Sequence, residues 1–298
     1  MKLSAALEKK NVILLDGAMG TELDKQGLMS RSRVNLDAPD AVLAIHQQYV
    51  RCGCHALTTN TLTMNRVYLE THNVGVSLAD VNKAGAELAR QAAGKNRYVL
   101  GDISSTGQLL EPYGTFKESQ FYAAFREQAE ILAASGVDGF IIETMFDLRE
   151  AMCALRACKE NTSLPVIVTM AFATEQRGGR TVMGDSAEQC AKSLTDGGAD
   201  AVGANCGDLV PSQMAVVVSL LKGATPLPVL AQPNAGKPKL IGERTVFEMA
   251  PAAFAAGIAE CLRAGARLVG GCCGTTPEHI AAVAEMLGGK PQASDDTE

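Results

Sequence analysis

The chain has 298 residues, a formal net charge of −6, nine cysteines and no tryptophan. This length suits one large α/β domain or two small ones, and the acidic balance argues against nucleic acid or an anionic membrane as a partner. No apolar run is long enough to span a membrane, and the first residues contain no signal-peptide core. We therefore expect a cytoplasmic protein whose cysteines are thiols or metal ligands rather than disulfides.

Short apolar runs alternate with helical segments along almost the whole chain. The apolar runs predict buried parallel strands over residues 12–16, 55–59, 98–103, 138–143, 165–170, 201–206, 228–236 and 268–273. The segments between them predict helices over residues 41–52, 78–93, 118–134, 148–160, 187–196, 212–221, 246–263 and 277–287. Glycine ends several of the helices, for example Gly53, Gly136 and Gly265, and a strand follows at once.

Eight strand–helix units without a linker or a change in composition predict a single (β/α)8 TIM barrel over residues 1–289. A doubly wound open sheet is the structural alternative. It is disfavoured because no GxGxxG sequence follows the first strand. The polar tail of residues 290–298 is expected to be disordered.

Three cysteines lie at predicted strand ends, where a barrel of this kind holds its chemistry. Cys206 ends the sixth strand, and Cys272 and Cys273 end the eighth, just before a helix start at Pro277. Three thiolates and one open position predict a catalytic zinc site. Packing is the alternative for the adjacent pair, since free cysteine is commonly buried, whereas a disulfide between neighbouring residues has poor geometry. The other six cysteines fall on helices or helix ends and are interpreted as packing residues.

The charge of such a site indicates the kind of substrate. Zinc with three thiolates carries a net charge of −1, which suits a thiol nucleophile better than hydrolysis. Asp16 and Glu143 also lie at strand ends, and two acids facing the thiolates can hold an ammonium group, although a helix cap is an equal alternative for either. The amides of Gly17 and Ala18 can bind a carboxylate. Together these features fit an amino-acid thiol such as homocysteine.

Five segments carry a family resemblance: LDGAMGTEL, IIET, GANC, QPNAGKP and VGGCCGTTPEHI. They resemble the homocysteine S-methyltransferase family, in particular the homocysteine-binding barrel of cobalamin-dependent methionine synthase, over residues 12–287. The resemblance implies one zinc ion per chain, with Cys206, Cys272 and Cys273 as ligands and the homocysteine sulfur as the fourth. It also implies that Asn234 supplies an oxygen ligand when substrate is absent.

For the substrate, the resemblance implies that Asp16 and Glu143 receive the amino group. It places Gly17, Ala18 and Thr59 near the carboxylate. The activity it implies is a zinc-dependent methyltransferase that forms methionine from homocysteine.

The methyl donor stays open between two classes. One is methylcobalamin on a separate corrinoid protein, and the other is S-methylmethionine or another sulfonium. Betaine ranks lower because a chain with 4% aromatic residues offers little for a cation–π cage.

Three functional alternatives stay open. The substrate can be a different thiol, or the chain can be a non-catalytic zinc- and thiol-binding component that serves a partner protein. The third alternative is a metal-free lyase or aldolase. It would require a catalytic lysine at a strand end, and none is present there.

Overall fold

The computed structural model describes residues 2–9, 11–29, 31–242 and 244–289, so the predicted disordered tail lies outside the described residues. In chain order the strands are β1 (Ile13–Leu14), β2 (Ala56–Thr58), β3 (Tyr98–Ser104), β4 (Gly139–Met145), β5 (Val166–Met170), β6 (Ala201–Asn205), β7 (Val229–Gln232), β8 (Lys239–Ile241), β9 (Arg244–Val246) and β10 (Ala266–Val269).

The helices surround these strands. They are α1 (Leu3–Glu8), α2 (Gly20–Lys25), α3 (Val34–Asp37), α4 (Pro39–Arg51), α5 (Arg66–Thr71), α6 (Leu78–Ala93), α7 (Glu118–Ala134), α8 (Leu148–Asn161), α9 (Ala187–Asp196), α10 (Pro211–Ala224), α11 (Pro251–Arg263) and α12 (Pro277–Met286). Two short 3-10 helices cover Arg31–Arg33 and Gln176–Gly178.

Eight strands form one parallel sheet in the order β1-β10-β7-β6-β5-β4-β3-β2. A parallel bridge between Leu15 and Ala56 joins the two ends of this order, so the sheet curves into a barrel. The strands are largely apolar and buried, as in β5, where every residue is buried between the barrel interior and the helices. The prediction of a (β/α)8 TIM barrel is confirmed.

Helix α1 covers the end of the barrel at which the strands begin. Its Leu3 and Leu7 join a buried cluster with inward-facing residues of the strands, among them Ile141 and Ile167. Arg267, at the start of β10, donates a hydrogen bond to the carbonyl of Leu7. The strand starts are therefore filled by side chains, which leaves the opposite end of the barrel for the site.

One helix boundary in the predicted set is wrong. The helix predicted over residues 246–263 begins instead at Pro251; Val246 ends the antiparallel β8–β9 hairpin, and residues 247–250 are in neither a helix nor a strand. Proline at the first helical turn sets this start. The N–H of Met249 donates to Ala235 and its carbonyl accepts from His279, so this segment is held outside the helix. The short helices α1, α2, α3 and α5 were not predicted.

None of the helices in the described part of the chain is long and apolar enough to cross a membrane.

Shortening Leu7 tests how much α1 contributes to stability by covering the end of the barrel at which the strands begin. Leu7→Ala removes a side chain that is 4% exposed, and we expect a loss of about 2 to 4 kcal/mol in the free energy of unfolding. Leu240→Ala is the matched control, because this side chain is 77% exposed and its truncation should cost less than about 0.5 kcal/mol. Urea unfolding followed by circular dichroism measures both; equal effects would contradict the buried position of Leu7.

Candidate metal and thiol site

A cavity of about 270 Å³ opens at the end of the barrel at which the strands finish. Eight of the nine predicted site residues line it: Asp16, Gly17, Ala18, Thr59, Glu143, Cys206, Cys272 and Cys273. The ninth, Asn234, lies beside the cavity and hydrogen-bonds to the sulfur of Cys206. The structure therefore brings the predicted set together, and the roles of its members stay predictions.

Backbone hydrogen bonds between strand ends position the cysteines. The carbonyl of Gln232 accepts from the N–H of Cys206 at 3.1 Å, and the carbonyl of Pro233 accepts from the N–H of Cys272 at 2.9 Å. Cys206 has a φ of 51°, a left-handed conformation that few residues other than glycine adopt. The end of β7 thus holds the ends of β6 and β10 in register on either side of it.

Cys206, Cys272 and Cys273 form a cysteine cluster whose sulfur atoms all lie within 4.8 Å of one another. The Sγ atoms of Cys206 and Cys273 are 3.9 Å apart. A tetrahedral zinc with Zn–S bonds of about 2.3 Å separates its sulfur ligands by about 3.8 Å. The cluster fits a zinc ion in spacing and in donor type.

Asn234 is the residue that the family resemblance implies as an oxygen ligand of the metal. Its Nδ2 donates to the carbonyl of Gly207 at 2.9 Å, while its Oδ1 is buried without a hydrogen-bond partner among the described residues. A buried amide oxygen without a partner is costly, and a metal ion is one group that satisfies it. This observation supports the predicted role without testing it.

Hydrogen bonds within the cysteine cluster separate the acidities of its thiols. Bonds from Cys272 and Cys273 lower the pKa of Cys206 to about 3, and the bond to Cys206 contributes most to raising the pKa of Cys273 to about 12. The same contacts hold the pKa of Cys272 well above its ordinary value. The other six cysteines are buried free thiols, as predicted for packing residues.

Thr275 packs two glycine loops of the cavity wall together. Its Oγ1 accepts from the N–H of Ala18 at 3.0 Å and donates to the carbonyl of Cys272 at 2.7 Å. A Cβ on Gly17 or on Gly271 would lie 2.8 or 2.4 Å from this oxygen, so only glycine fits at either position. The N–H of Ala18 is therefore occupied, whereas the N–H of Gly17 takes part in none of the hydrogen bonds found among the described residues.

Three carboxyl groups face the cavity: Asp16 and Asp102 are buried, and Glu143 is half-buried. Burial raises the pKa of Asp16 to about 7, despite a hydrogen bond of 2.8 Å from the N–H of Thr58. Burial, with the negative charge of Cys206, also raises the pKa of Glu143 to about 7. Asp102 hydrogen-bonds to Glu143, and burial beside these two acids holds its pKa well above its usual range.

Asp102 belongs to the cavity although it was not selected from the sequence. It lies near the end of β3, its side chain is 4% exposed, and its Oδ1 has no hydrogen-bond partner among the described residues. Its position at a strand end was the available signal, but many strand-end residues share that position. Only the contact with Glu143 distinguishes it.

A second depression, of about 550 Å³, lies between helices α7, α8 and α9 on the outside of the barrel. Its arginines are engaged: Arg149 pairs with Glu118 at 2.9 Å and Arg156 lies 3.9 Å from Glu160. It contains none of the predicted site residues.

The ionisation of Asp16 is expected to destabilise the folded chain. Its pKa is about 7 in the folded state against an ordinary value of 3.8, so the folded state binds the proton more tightly and stability falls as pH rises from about 4 to about 7. Asp16→Asn removes this titration. We expect its stability advantage over the wild type to grow by about 2 kcal/mol between pH 5 and pH 8, as measured by urea unfolding. An advantage that does not change with pH would contradict the raised pKa.

Comparisons with known proteins place this site in a family. A family model described as homocysteine S-methyltransferase matches residues 13–287. The methionine synthases of Mycobacterium tuberculosis and Mycobacterium leprae are each 29% identical to the chain over 93% of its length. The match covers 25% and 24% of those proteins, so the chain spans about a quarter of the length of these relatives.

Among solved structures, the metallated form of the homocysteine methyltransferase MmuM from Escherichia coli has a similar fold. The TM-score is 0.78 at 23% identity, covering 95% of this chain and 98% of that chain. The matched model covers nearly the whole barrel, from β1 to the end of α12. The chain belongs to the homocysteine S-methyltransferase family.

Proposed function

We propose that the chain transfers a methyl group to the sulfur of homocysteine, with one zinc ion held by the cysteine cluster. The observation that carries this proposal is the placement of three sulfur atoms, within 4.8 Å of one another, in the wall of a cavity that also contains buried carboxyl groups. Among the described residues that line the cavity, none is basic. The site thus suits a ligand that carries a thiol and a cation.

The carboxyl groups of Asp16, Asp102 and Glu143 receive the ammonium group of the substrate. Buried acids with a pKa of about 7 are only partly ionised at neutral pH, and a bound ammonium favours their charged forms. The N–H of Gly17 serves the substrate carboxylate at the neighbouring part of the wall. The hydroxyl of Thr59 lines the same wall, but it is engaged by Thr61 at 2.7 Å and by the N–H of Asp102 at 2.9 Å. Thr59 therefore shapes this part of the wall rather than donating to the substrate. The Ala18 N–H contributes indirectly, by fixing this loop through Thr275.

A zinc ion bound by three thiolates supplies a Lewis acid that keeps a substrate thiol deprotonated at neutral pH. The protein's own contribution is to hold the three sulfur atoms at tetrahedral spacing and the substrate's amino acid group at a fixed distance from them. Asn234 supplies an oxygen to the metal when substrate is absent, which accounts for its buried Oδ1.

The reaction is a displacement at the methyl carbon. The thiolate sulfur of homocysteine forms a bond to the methyl group while the bond from that group to the donor breaks, and the donor keeps the electron pair. Methionine leaves. Because the sulfur is already deprotonated, no general base acts in this step, and the residues of the cavity act by positioning.

We propose a methylcorrinoid protein as the donor. The barrel's sequence relatives are methionine synthases, and this chain spans about a quarter of their length, so the donor would be carried by a further protein segment or a partner. None of the described residues lining the cavity is aromatic, which leaves no cation–π cage for an ammonium donor such as betaine. Residues 1–289 form the homocysteine-binding barrel in this proposal.

Removing one cysteine of the cluster tests the metal site. Cys272→Ala is expected to weaken zinc binding at least about 100-fold, because one of three thiolate ligands is lost. Zinc content after dialysis against a chelator measures this. Cys190→Ala, at a buried cysteine of α9 outside the cluster, is the control and should retain one zinc ion per chain. Full zinc retention and activity in Cys272→Ala would refute the proposal.

The donor is tested with zinc-loaded protein and homocysteine, reading methionine by mass spectrometry. We expect turnover with methylcobalamin, free or protein-bound, and none with S-methylmethionine, S-adenosylmethionine or betaine. Turnover with a sulfonium alone would reject the corrinoid donor while leaving the methyltransferase intact. No methionine from any donor, despite bound zinc and homocysteine, would favour a binding role instead.

A further inference from the structure

Asn205 connects the carboxylate side of the cavity to the cysteine cluster. It is fully buried at the end of β6, directly before Cys206. Its Nδ2 donates to the carboxylate of Glu143 at 2.5 Å and lies 3.8 Å from the sulfur of Cys272. A single amide group therefore contacts one residue from each half of the site.

The other side of the same amide supports a strained irregularity within β4, where the register with β5 shifts between Ile142 and Met145. Thr144 has a φ of 58°, which is a true outlier for a β-branched residue. Its N–H donates to Oδ1 of Asn205 at 2.7 Å, and its hydroxyl lies 2.8 Å from Nδ2. Thr169 donates a further hydrogen bond of 2.7 Å to Oδ1, which fixes the orientation of the amide. The irregular part of β4 beside Glu143 is thus held in place by Asn205.

We propose that Asn205 is a positioning residue that orients Glu143 toward the substrate's amino group and so makes the site select thiols that carry that group. This inference rests on the proposed function. The amide N–H of Asn205 donates a hydrogen bond to Oε2 of Glu143, and this bond holds the carboxylate in one orientation within the cavity.

The amide also links recognition to the reacting sulfur. Asn205 lies next to Cys206 in the chain and beside Cys272 in space, so the position of Glu143 and the position of the cluster share one support. Homocysteine must fit both at once, whereas a thiol without an amino group uses only the cluster.

The test compares two ligands on zinc-loaded protein by calorimetry: homocysteine and γ-mercaptobutyrate, which lacks the amino group. For Asn205→Ser we expect the preference for homocysteine to fall at least about tenfold, the loss expected for a hydrogen bond to a charged group. Binding of γ-mercaptobutyrate should change by less than about threefold. A merely structural role would weaken both ligands equally, and that result would overturn the proposal.

A double-substitution cycle tests whether Asn205 affects ligand preference through Glu143. In a Glu143→Gln background, Asn205→Ser should cause little further loss of the preference, because the two residues act as one unit. Additive losses would overturn the proposed route. If the serine variant does not fold, Asn205→Thr fills more of the volume and carries the same expectation.

Ser104→Ala is the matched control. Its hydroxyl donates to the backbone carbonyl of Glu143 at 2.7 Å, so the substitution removes a neighbouring hydrogen bond without touching the carboxylate. The preference for homocysteine should be unchanged in this variant. A wild type that binds zinc but shows no preference for homocysteine would overturn the proposed function and this inference together. A preference retained in the Asn205 variants would overturn only the role of Asn205.

Discussion

The site depends on backbone hydrogen bonding at the ends of three neighbouring strands. The carbonyls of Gln232 and Pro233, at and just after the end of β7, accept from Cys206 on one side and Cys272 on the other. Parallel strands in register carry their last residues to one edge, so cysteines more than 60 positions apart in the chain meet as a cluster. A shift of one residue in this register would direct the cysteine side chains away from one another.

Charge is the second organising constraint of the cavity. Three carboxyl groups and three sulfur atoms are gathered where burial disfavours negative charge, and no described lining residue is basic. Such a site is stabilised by cations from outside the chain. In the function proposed above, a metal at the cysteine cluster and an ammonium at the carboxyl groups would supply two of them.

One end of the barrel is packed with apolar side chains, and the other end contains the polar residues of the cavity. At the end where strands begin, Leu3 and Leu7 of α1 complete an apolar core. At the other end the strands finish in polar residues that carry unfavourable features: raised pKa values at Asp16 and Glu143, and left-handed backbone at Thr144 and Cys206. Strain of this kind persists because the surrounding barrel over-determines the geometry. Asn205 is one of the side chains through which the barrel does so.

The sequence by itself determined the barrel and the membership of the cysteine cluster. Both follow from local periodicity and strand ends, since eight buried strands separated by helices admit few arrangements. Tertiary structure decided the rest. The helix predicted from residue 246 begins at Pro251 because pairing of β8 with β9 and contacts of Met249 outweigh local helix propensity. Asp102 and Asn205 both contact Glu143 from other strands. The sequence did not predict these contacts because packing between strands that are distant in the chain sets them.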